Sequence, residues 1–357
     1  MKSSGGHHIK GRGATCSPDN RFHKQHIEDY DDGWGTIEER DEKPLTELFA
    51  DSSKSIINYN QSPDVPFDRS INPYRGCEHG CVYCFARPTH AYLDCSPGLD
   101  FETKIFYKPN APSLLKKELG RRSYRCQPVA LGINTDAYQP VERKLKITRD
   151  ILEILSACRH PVSIVTKSAL IERDVDLLGK MASHGLVQVM VSVTSLNPKL
   201  ARSLEPRAVT PQRRLQIIET LSRAGIPVGV LVAPVIPVLN DHEIETILKA
   251  VKDAGALTAG YVLLRLPYEI KELFTDWLQT HVPDMADHVM NRIRDMRGGK
   301  EYDAQFGNRM RGTGVFAELI QQRFTAAEKR LNFSGMPAMN TKLFTLPEQP
   351  GNQMTLF

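Results

Sequence analysis

The sequence predicts an α/β protein, a partial (β/α)6 TIM-like barrel with an N-terminal arm and a C-terminal helical cap. Six short apolar runs rich in β-branched residues recur between residues 70 and 266. Amphipathic stretches separate them, several with a capping start such as Thr210 and a glycine stop such as Gly225. Such alternation implies parallel strands joined by right-handed crossovers. A doubly wound open sheet is the competing architecture, because periodicity alone does not separate the two.

The elements follow one another in a regular order. The predicted strands cover residues 70–74, 129–133, 162–165, 187–193, 228–232 and 261–266. The predicted intervening helices cover residues 113–119, 144–157, 174–182, 210–224 and 242–254. Beyond Pro267 the pattern becomes helical and more charged, over residues 269–280, 283–296 and 315–330. We interpret these last three as a helical cap on the barrel.

Composition divides the chain into four segments. Residues 1–60 are charged and lack sustained periodicity, which predicts an extended, partly disordered arm. Residues 61–268 form the predicted core barrel, and residues 269–334 form the cap. Residues 335–357 are rich in Pro, Gln and Asn and are predicted to be a flexible tail.

Charge and cysteine usage limit the function classes. The net charge of +4 over 357 residues permits nucleic-acid binding without arguing for it. The first residues contain no apolar core of a signal peptide, and three prolines interrupt the longest apolar stretch, 226–239. Seven cysteines, three of them within eight residues, do not form a disulfide framework. We therefore expect a cytoplasmic protein without a membrane partner.

The most informative motif is Cys77-x3-Cys81-x2-Cys84, directly after the first predicted strand. Three thiolates on one loop can hold three irons of a cubane cluster and leave the fourth iron open, as a reactive cluster requires. Gly76 and Gly80 would let this loop wrap tightly around such a group.

Three alternatives to an open cluster remain for this motif. The first is a zinc site with His79 as the fourth ligand, although its position between two cysteines is unlike the usual C-x2-C pairs. The second is a closed electron-transfer cluster with Cys95 as the fourth ligand. The third is a set of inert thiols. The tight spacing at the start of a βα array favours the open cluster.

With Tyr83 before its last cysteine, the motif resembles the signature of the radical S-adenosylmethionine superfamily, and the resemblance covers residues 68–268. The segment Asn-Pro-Tyr-Arg-Gly-Cys-Glu-His-Gly-Cys-Val-Tyr-Cys-Phe-Ala-Arg-Pro is similar to an uncharacterised bacterial subfamily grouped with spore photoproduct lyase and DNA repair photolyase-like proteins. The resemblance implies a [4Fe-4S] cluster on the three cysteines, cleavage of S-adenosylmethionine to a 5′-deoxyadenosyl radical, and an external one-electron reductant.

The resemblance also implies a cofactor-binding element after the second strand. Where many family members have Gly-Gly-Glu, this chain has Asn134-Thr135-Asp136, which is similar to the Ser-Asp variant of the lyase branch. Thr135 and Asp136 would then meet the ammonium group of the methionine moiety. The alternative is that either residue is a helix N-cap.

Four further cofactor contacts are implied at other strand ends. The backbone of Tyr83 would contact the adenine, Lys167 the methionine carboxylate, and Ser192 the ribose. Arg207 could clamp a carboxylate with two hydrogen bonds, or could instead pair with Glu205. For Lys167 and Ser192 the alternatives are a strand-end lysine reaching solvent and a core serine bonded to backbone.

The sequence identifies neither the catalytic hydrogen donor nor the substrate. Spore photoproduct lyase carries a cysteine immediately before its Ser-Asp element, whereas this chain has Gly132-Ile133-Asn134 there. The subfamily resemblance favours DNA or another nucleic acid as substrate. The alternatives are a radical enzyme acting on a protein or small molecule, and a non-catalytic iron–sulfur protein.

A five-residue motif closes the predicted tail. It consists of Gln353, Met354, Thr355, Leu356 and Phe357, and it resembles the peptides by which bacterial polymerases and repair proteins bind the sliding clamp. The glutamine amide can hydrogen-bond in a groove while the large apolar side chains fill pockets. We therefore expect the bacterial sliding clamp as a partner. The alternatives are a chance match or a tail that folds back onto the barrel.

Overall fold

The computed structural model describes residues 11–22 and 45–347. Within them the strands are β1 (Glu47–Ala50), β2 (Ile57–Tyr59), β3 (Arg69–Ile71), β4 (Tyr74–Arg75), β5 (Lys104–Tyr107), β6 (Val129–Leu131), β7 (Val162–Thr166), β8 (Val187–Ser192), β9 (Val228–Val235) and β10 (Thr258–Leu263).

The α-helices follow the strands in the expected alternation. They are α1 (Asp100–Thr103), α2 (Ala111–Leu119), α3 (Glu142–Leu145), α4 (Ile147–Ala157), α5 (Val175–Ala182), α6 (Pro198–Leu204), α7 (Pro211–Arg223), α8 (Ile244–Asp253), α9 (Ile270–His281), α10 (Pro283–Asp295), α11 (Asn308–Arg311) and α12 (Gly314–Arg330). Three 3-10 helices, Arg87–Leu93, Ala169–Asp174 and Asp241–Glu243, complete the connections.

A seven-stranded sheet forms the centre of the fold, in the order β10-β9-β8-β7-β6-β3-β2. Six strands of this sheet are mutually parallel, namely β3, β6, β7, β8, β9 and β10, and β2 adds one antiparallel edge. These six are the predicted strands. Their order increases steadily along the chain, whereas a doubly wound sheet reverses direction at its centre. The order therefore supports the partial-barrel prediction and excludes the doubly wound alternative.

The helix starts predicted at residues 174, 210, 269, 283 and 315 each lie within one residue of the observed starts. The Thr210 hydroxyl accepts a hydrogen bond from the Arg213 N–H and caps α7 as predicted. The single helix predicted over residues 144–157 is wrong. Lys146 adopts a left-handed conformation with φ of 54°, which ends α3 and starts α4. Nothing in the periodicity marks this break, because lysine is not a typical left-handed residue.

A second sheet, in the order β1-β5-β4, was not predicted. Its strands have two to four residues, and β1 is exposed at all four positions, so they leave no alternating pattern to recognise. Strands β1 and β2 lie within the segment predicted as the N-terminal arm. Residues 1–10 and 23–44 of that segment lie outside the described residues.

Two apolar clusters form the core. The larger joins both faces of the parallel sheet to α4, α5, α7, α8 and α12. The smaller packs the predicted cap helices α9 and α10 against Val82 in the cysteine loop, with Trp277 completely buried at its centre. The cap therefore supports the loop that carries the cysteines. No helix within the described ranges is long and apolar enough to cross a membrane.

Residues 335–347 run across the amino ends of the parallel strands. The N–H groups of Gly335, Asn340 and Thr345 donate to the carbonyls of residues 257, 185 and 158, which precede β10, β8 and β7. Phe344 adds an edge contact to the ring of His160. The first part of the segment predicted as a flexible tail thus lies on the barrel. The motif of residues 353–357 lies outside the described residues.

Candidate active site at the carboxyl edge of the sheet

The carboxyl ends of the six parallel strands meet at one edge, and the sequence-predicted residues gather there. The cysteine loop follows β3 and β4, Lys167 follows β7, and Ser192 ends β8. Backbone hydrogen bonds tie this loop to the segment after α6, from the Val82 N–H to the Leu204 carbonyl and from the Arg207 N–H to the His79 carbonyl. Side chains of the loop therefore face those of the β8 and β7 ends.

The three motif cysteines form one group of thiols. All are free, Cys77 and Cys81 are buried, and Cys84 is half-buried. Burial raises the pKa of Cys77 well above its usual value, and the nearby charges of Asp136, Cys81 and Cys84 raise it further. Burial raises the pKa of Cys81 to about 12. Binding of positive metal ions would oppose this shift, because a thiol loses its proton when it becomes a metal ligand.

Two glycines give the cysteine loop its shape. Gly76 and Gly80 have φ of 80° and 67°, which side-chain-bearing residues rarely adopt. A Cβ at Gly76 would also lie 2.9 Å from the His90 Cε1 atom. The fully buried Gln139 fixes the backbone between them, donating from Nε2 to the Gly76 carbonyl and accepting from the Glu78 N–H at 2.9 Å.

A buried ion pair between Arg87 and Glu102 supports the cysteine loop. Arg87, completely buried, donates from Nε to the Cys81 carbonyl at 2.8 Å and from Nη2 to Glu102 Oε1 at 2.6 Å. Glu102 also accepts from the N–H groups of Gly13 and Ala14. The N-terminal segment 11–22 thus packs directly beneath the cysteine loop.

The structure does not favour the alternatives with a fourth protein ligand. His79 Nδ1 lies 3.4 Å from Asp136 Oδ2, so this ring nitrogen faces a carboxylate. The Cys95 thiol donates to the Leu93 carbonyl instead, and its charged neighbours are Asp94, Asp100 and Lys104.

Glu205 is the centre of a buried polar network facing the cysteine loop. Its carboxylate accepts hydrogen bonds from the Tyr83 hydroxyl, from Arg214 and from the Thr194 hydroxyl at 2.7 Å. Burial alone would raise the pKa of Glu205, but Arg214 and Lys167 hold it well below its usual value. The carboxylate is therefore ionised and fixes the Tyr83 side chain.

Lys167 reaches this network from the end of β7. Its Nζ lies 3.5 Å from Glu205 Oε1 and 3.4 Å from the Tyr83 hydroxyl, and its side chain is 15% exposed. Burial lowers the pKa of Lys167, but Cys81, Tyr83 and Glu205 together raise it well above its usual value. The ammonium group is thus charged and loosely held at the edge of the site. The alternative that Lys167 extends into solvent is wrong.

Asp136 anchors the loop after β6 to the end of β7. Its carboxylate accepts from the Thr166 hydroxyl at 2.8 Å, the Lys167 N–H at 2.9 Å and the Tyr138 N–H at 2.9 Å. The Thr135 hydroxyl donates to the Tyr74 carbonyl. Neither residue caps a helix, because α3 begins after Val141, so the N-cap alternative is wrong. Their predicted contacts with the methionine ammonium stay a prediction.

Two further predicted residues have different neighbours. Ser192 is buried, and its carbonyl accepts from Arg214 Nη1 at 3.1 Å. Arg207 pairs with Glu78 at 3.2 Å and is about one-third exposed, so the alternative Glu205–Arg207 pair is wrong. Glu205 is buried beneath the loop, where Arg214 of α7 reaches it, while Arg207 lies on the outer side.

Sequence reasoning missed the residues that hold the site together. Arg87, Gln139, Thr194 and Arg214 are all buried and polar. Arg214 lies on the otherwise apolar face of a helix, and that position was the available signal. Arg87 and Gln139 have no local signal, because their partners come from separate parts of the chain.

A family model of the Radical SAM superfamily matches residues 71–251, which span the cysteine loop and most of the parallel strands. The chain belongs to this superfamily. An uncharacterized protein of Mycobacterium tuberculosis is 40% identical over 244 residues, which cover 68% of this radical SAM chain and 72% of that relative. One of Methanocaldococcus jannaschii is 28% identical over 247 residues, covering 69% and 88%.

Solved structures of spore photoproduct lyase share the fold of this radical SAM protein. The lyase complexed with dinucleoside spore photoproduct has a TM-score of 0.57 and 14% identity, with 80% of each chain covered. A double mutant with bound AdoMet and the same dinucleoside has a TM-score of 0.55 and 14% identity, covering 80% of this chain and 79% of the other. At these identities the likeness establishes the fold alone.

Superfamily membership implies S-adenosylmethionine and an iron–sulfur cluster as cofactors, and this site fits both by its donor chemistry. Three free, buried or half-buried cysteines share one tightly turned loop. A charged lysine and an aspartate carboxylate adjoin them at the carboxyl edge. The described part of the chain thus offers soft sulfur ligands for iron and charged groups for a zwitterionic amino acid.

Proposed function

We propose that this protein reductively cleaves S-adenosylmethionine, with a [4Fe-4S] cluster held by Cys77, Cys81 and Cys84, and that it acts on a nucleic acid. The observation that carries the proposal is the placement of three free thiols beside Lys167 and Asp136 at one edge of the sheet. When bound, the cluster supplies one electron that breaks a carbon–sulfur bond of S-adenosylmethionine, releasing methionine and a 5′-deoxyadenosyl radical.

The residues of this chain position the cofactor. Lys167 meets the methionine carboxylate and Asp136 the ammonium group, a match of opposite charges that gives strong hydrogen bonds. Tyr83, fixed by Glu205, offers its backbone to the adenine, and Ser192 lies at the β8 end for the ribose. Arg207 remains paired with Glu78 at the rim and is the weakest of the proposed contacts.

One observation supports a nucleic-acid substrate. The fold is that of spore photoproduct lyase over four-fifths of both chains, and one solved structure of that lyase is a complex with dinucleoside spore photoproduct. In the lyase a cysteine immediately precedes the Ser-Asp element, whereas here Asn134 precedes Thr135-Asp136. The hydrogen donor of this protein must therefore differ from that cysteine.

The test is anaerobic reconstitution with iron, sulfide and S-adenosylmethionine labelled at the 5′ carbon-bound hydrogens. With dithionite we expect 5′-deoxyadenosine and methionine in equal amounts, and label transfer to or from ultraviolet-damaged oligonucleotides. Protein with a full cluster but no 5′-deoxyadenosine would instead be a non-catalytic iron–sulfur protein. Cleavage without any label exchange across damaged and undamaged oligonucleotides would favour a protein or small-molecule substrate.

We further propose docking on the bacterial sliding clamp through Gln353, Met354, Thr355, Leu356 and Phe357. The support is the sequence of the motif and the path of residues 335–347, which lead the chain along the amino edge, opposite the cysteine loop. A clamp bound beyond Pro347 would therefore leave the carboxyl edge open to DNA. Tethering of this kind raises the local concentration of enzyme at DNA.

A synthetic peptide of residues 345–357 and the full chain should both bind purified clamp. Replacing Gln353, Leu356 and Phe357 by alanine should weaken binding at least about tenfold, since it removes the amide and two large apolar side chains. Replacing Gln349 and Asn352 by alanine serves as the matched control, with no change expected. Equal clamp affinity of the two variants would contradict the proposal.

A further inference from the structure

Arg265 is a cation without a full set of partners at the mouth of the site. It lies two residues after the end of β10, and its guanidinium lies over the ring of Phe85 with 5.2 Å between the guanidinium carbon and the ring centroid. Its Nε is buried and has no hydrogen-bond partner among the described residues, and its Nη1 reaches only the Met310 sulfur at 3.6 Å. A buried guanidinium donor normally finds an oxygen acceptor, so this one is set for a ligand.

The surroundings of Arg265 carry surplus positive charge. The neighbouring Arg297 is buried and bonds only backbone carbonyls, those of Leu264 and Asn308. Burial lowers the pKa of Arg297, the charge of Asp303 opposes this, and the charge of Arg265 lowers the pKa again. Asp64 lies close by, but its carboxylate already accepts from Arg309 and from the Gly307 N–H. An anion would relieve this repulsion.

Exposed aromatic rings occur on the two chain segments that carry Phe85 and Arg265. Phe85 follows Cys84 directly and is 41% exposed, and Tyr268, three residues after Arg265, is 70% exposed. The Arg21 guanidinium lies between the rings of Tyr268 and Tyr92, 4.5 and 5.2 Å from their centroids. Large rings held in place by arginine and left open to solvent are the stacking surfaces that bases use.

We propose that Arg265 and Phe85 form a nucleotide subsite, where the guanidinium binds a phosphodiester and the ring stacks on a base of single-stranded or locally opened DNA. The inference rests on the proposed nucleic-acid function and assigns the residues that recognise the substrate. A free phosphate would bind the arginine but would make no stacking contact with the aromatic rings. A nucleic acid strand would contact both the arginine and the ring, because it carries phosphates and bases in alternation.

The cysteine loop and the end of β10 place this subsite beside the proposed cofactor site. Phe85 extends the cysteine loop, and Arg265 emerges from the last parallel strand, β10, across the open side of the sheet. A strand bound here enters between the first and last parallel strands. Its bases then face the loop of Cys77, Cys81 and Cys84.

The test measures binding of a fluorescein-labelled single-stranded oligonucleotide of mixed sequence, by anisotropy over a range of salt concentrations, to anaerobically reconstituted full-length protein. Arg265→Met should weaken binding about tenfold and reduce the salt slope by about 0.7, the value for one phosphate contact on a single strand. Arg265→Lys should keep the slope. Phe85→Ala should weaken binding about tenfold with the slope unchanged.

Two matched variants control for charge and for ring loss. Arg223→Met removes an arginine that is 77% exposed on α7, and Tyr59→Ala removes a 66% exposed ring beside the amino end of β3. Both should bind as the wild type does. Formation of 5′-deoxyadenosine should be unchanged in the two control variants, and the iron and sulfide content of every variant shows whether it folds and holds its cluster.

Two results would overturn the subsite in different ways. If the wild type binds the oligonucleotide and Arg265→Met matches Arg223→Met in affinity and salt slope, the subsite is wrong and the nucleic-acid function stands. If the wild type binds no oligonucleotide, the nucleic-acid function fails and the subsite fails with it, while reductive cleavage is judged by its own assay.

Discussion

Replacing Cys81 by alanine is expected to abolish both the iron–sulfur cluster and the cleavage of S-adenosylmethionine. Cys81 is 6% exposed and shares the loop with Cys77 and Cys84, the other two proposed ligands. An alanine offers no thiolate, and two cysteines cannot hold the three irons of a site-differentiated cubane. Iron and sulfide content, visible absorbance and 5′-deoxyadenosine after dithionite should all fall to background.

The fold should survive the Cys81 substitution, which makes the result interpretable. The Cys81 carbonyl, not its side chain, accepts the hydrogen bond from Arg87 Nε, so alanine keeps that anchor. Cys95→Ala is the matched control, because Cys95 is also buried and its thiol donates only to the Leu93 carbonyl. That variant should keep full cluster content. Retained cluster and cleavage in Cys81→Ala would refute the proposed ligand set.

Replacing Lys167 by methionine should weaken binding of S-adenosylmethionine by one to two decades and leave the cluster intact. A hydrogen bond to a charged group contributes about 1.5–3 kcal/mol, which corresponds to roughly 10- to 100-fold in the dissociation constant. The ammonium group is charged and held loosely, 3.4 and 3.5 Å from its two neighbours, so it can turn to the carboxylate. Equilibrium dialysis with the reconstituted protein measures the affinity.

Two further variants distinguish cofactor binding by Lys167 from a purely structural role. Lys167→Arg keeps the charge and should recover part of the affinity, whereas loss of packing would not be repaired by a larger side chain. Lys249→Met removes a lysine that is 68% exposed on α8 and should bind as the wild type does. Unchanged affinity in Lys167→Met would reduce Lys167 to a partner of Glu205 alone.

The sequence alone determined the parallel strands, most of the helices and the cysteine loop. Each of these features is specified by residues that are close together in the sequence. Alternation of apolar runs with amphipathic stretches encodes strands and crossover helices, and Cys77, Cys81 and Cys84 share one loop with Gly76 and Gly80. Lys167 was also recognisable, because a lysine at the end of an apolar strand requires a nearby anion.

Only the tertiary structure decided which charges meet. Glu205 pairs with Arg214 and not with Arg207, because the turn after α6 is covered by α7 while Arg207 remains at the rim beside Glu78. Arg87 and Glu102 meet beneath the cysteine loop, and Arg265 meets Phe85 across the open sheet. Such contacts join residues distant in the chain. They arise when the sheet brings its carboxyl ends together, and burial then makes the Glu205–Arg214 and Arg87–Glu102 pairings obligatory.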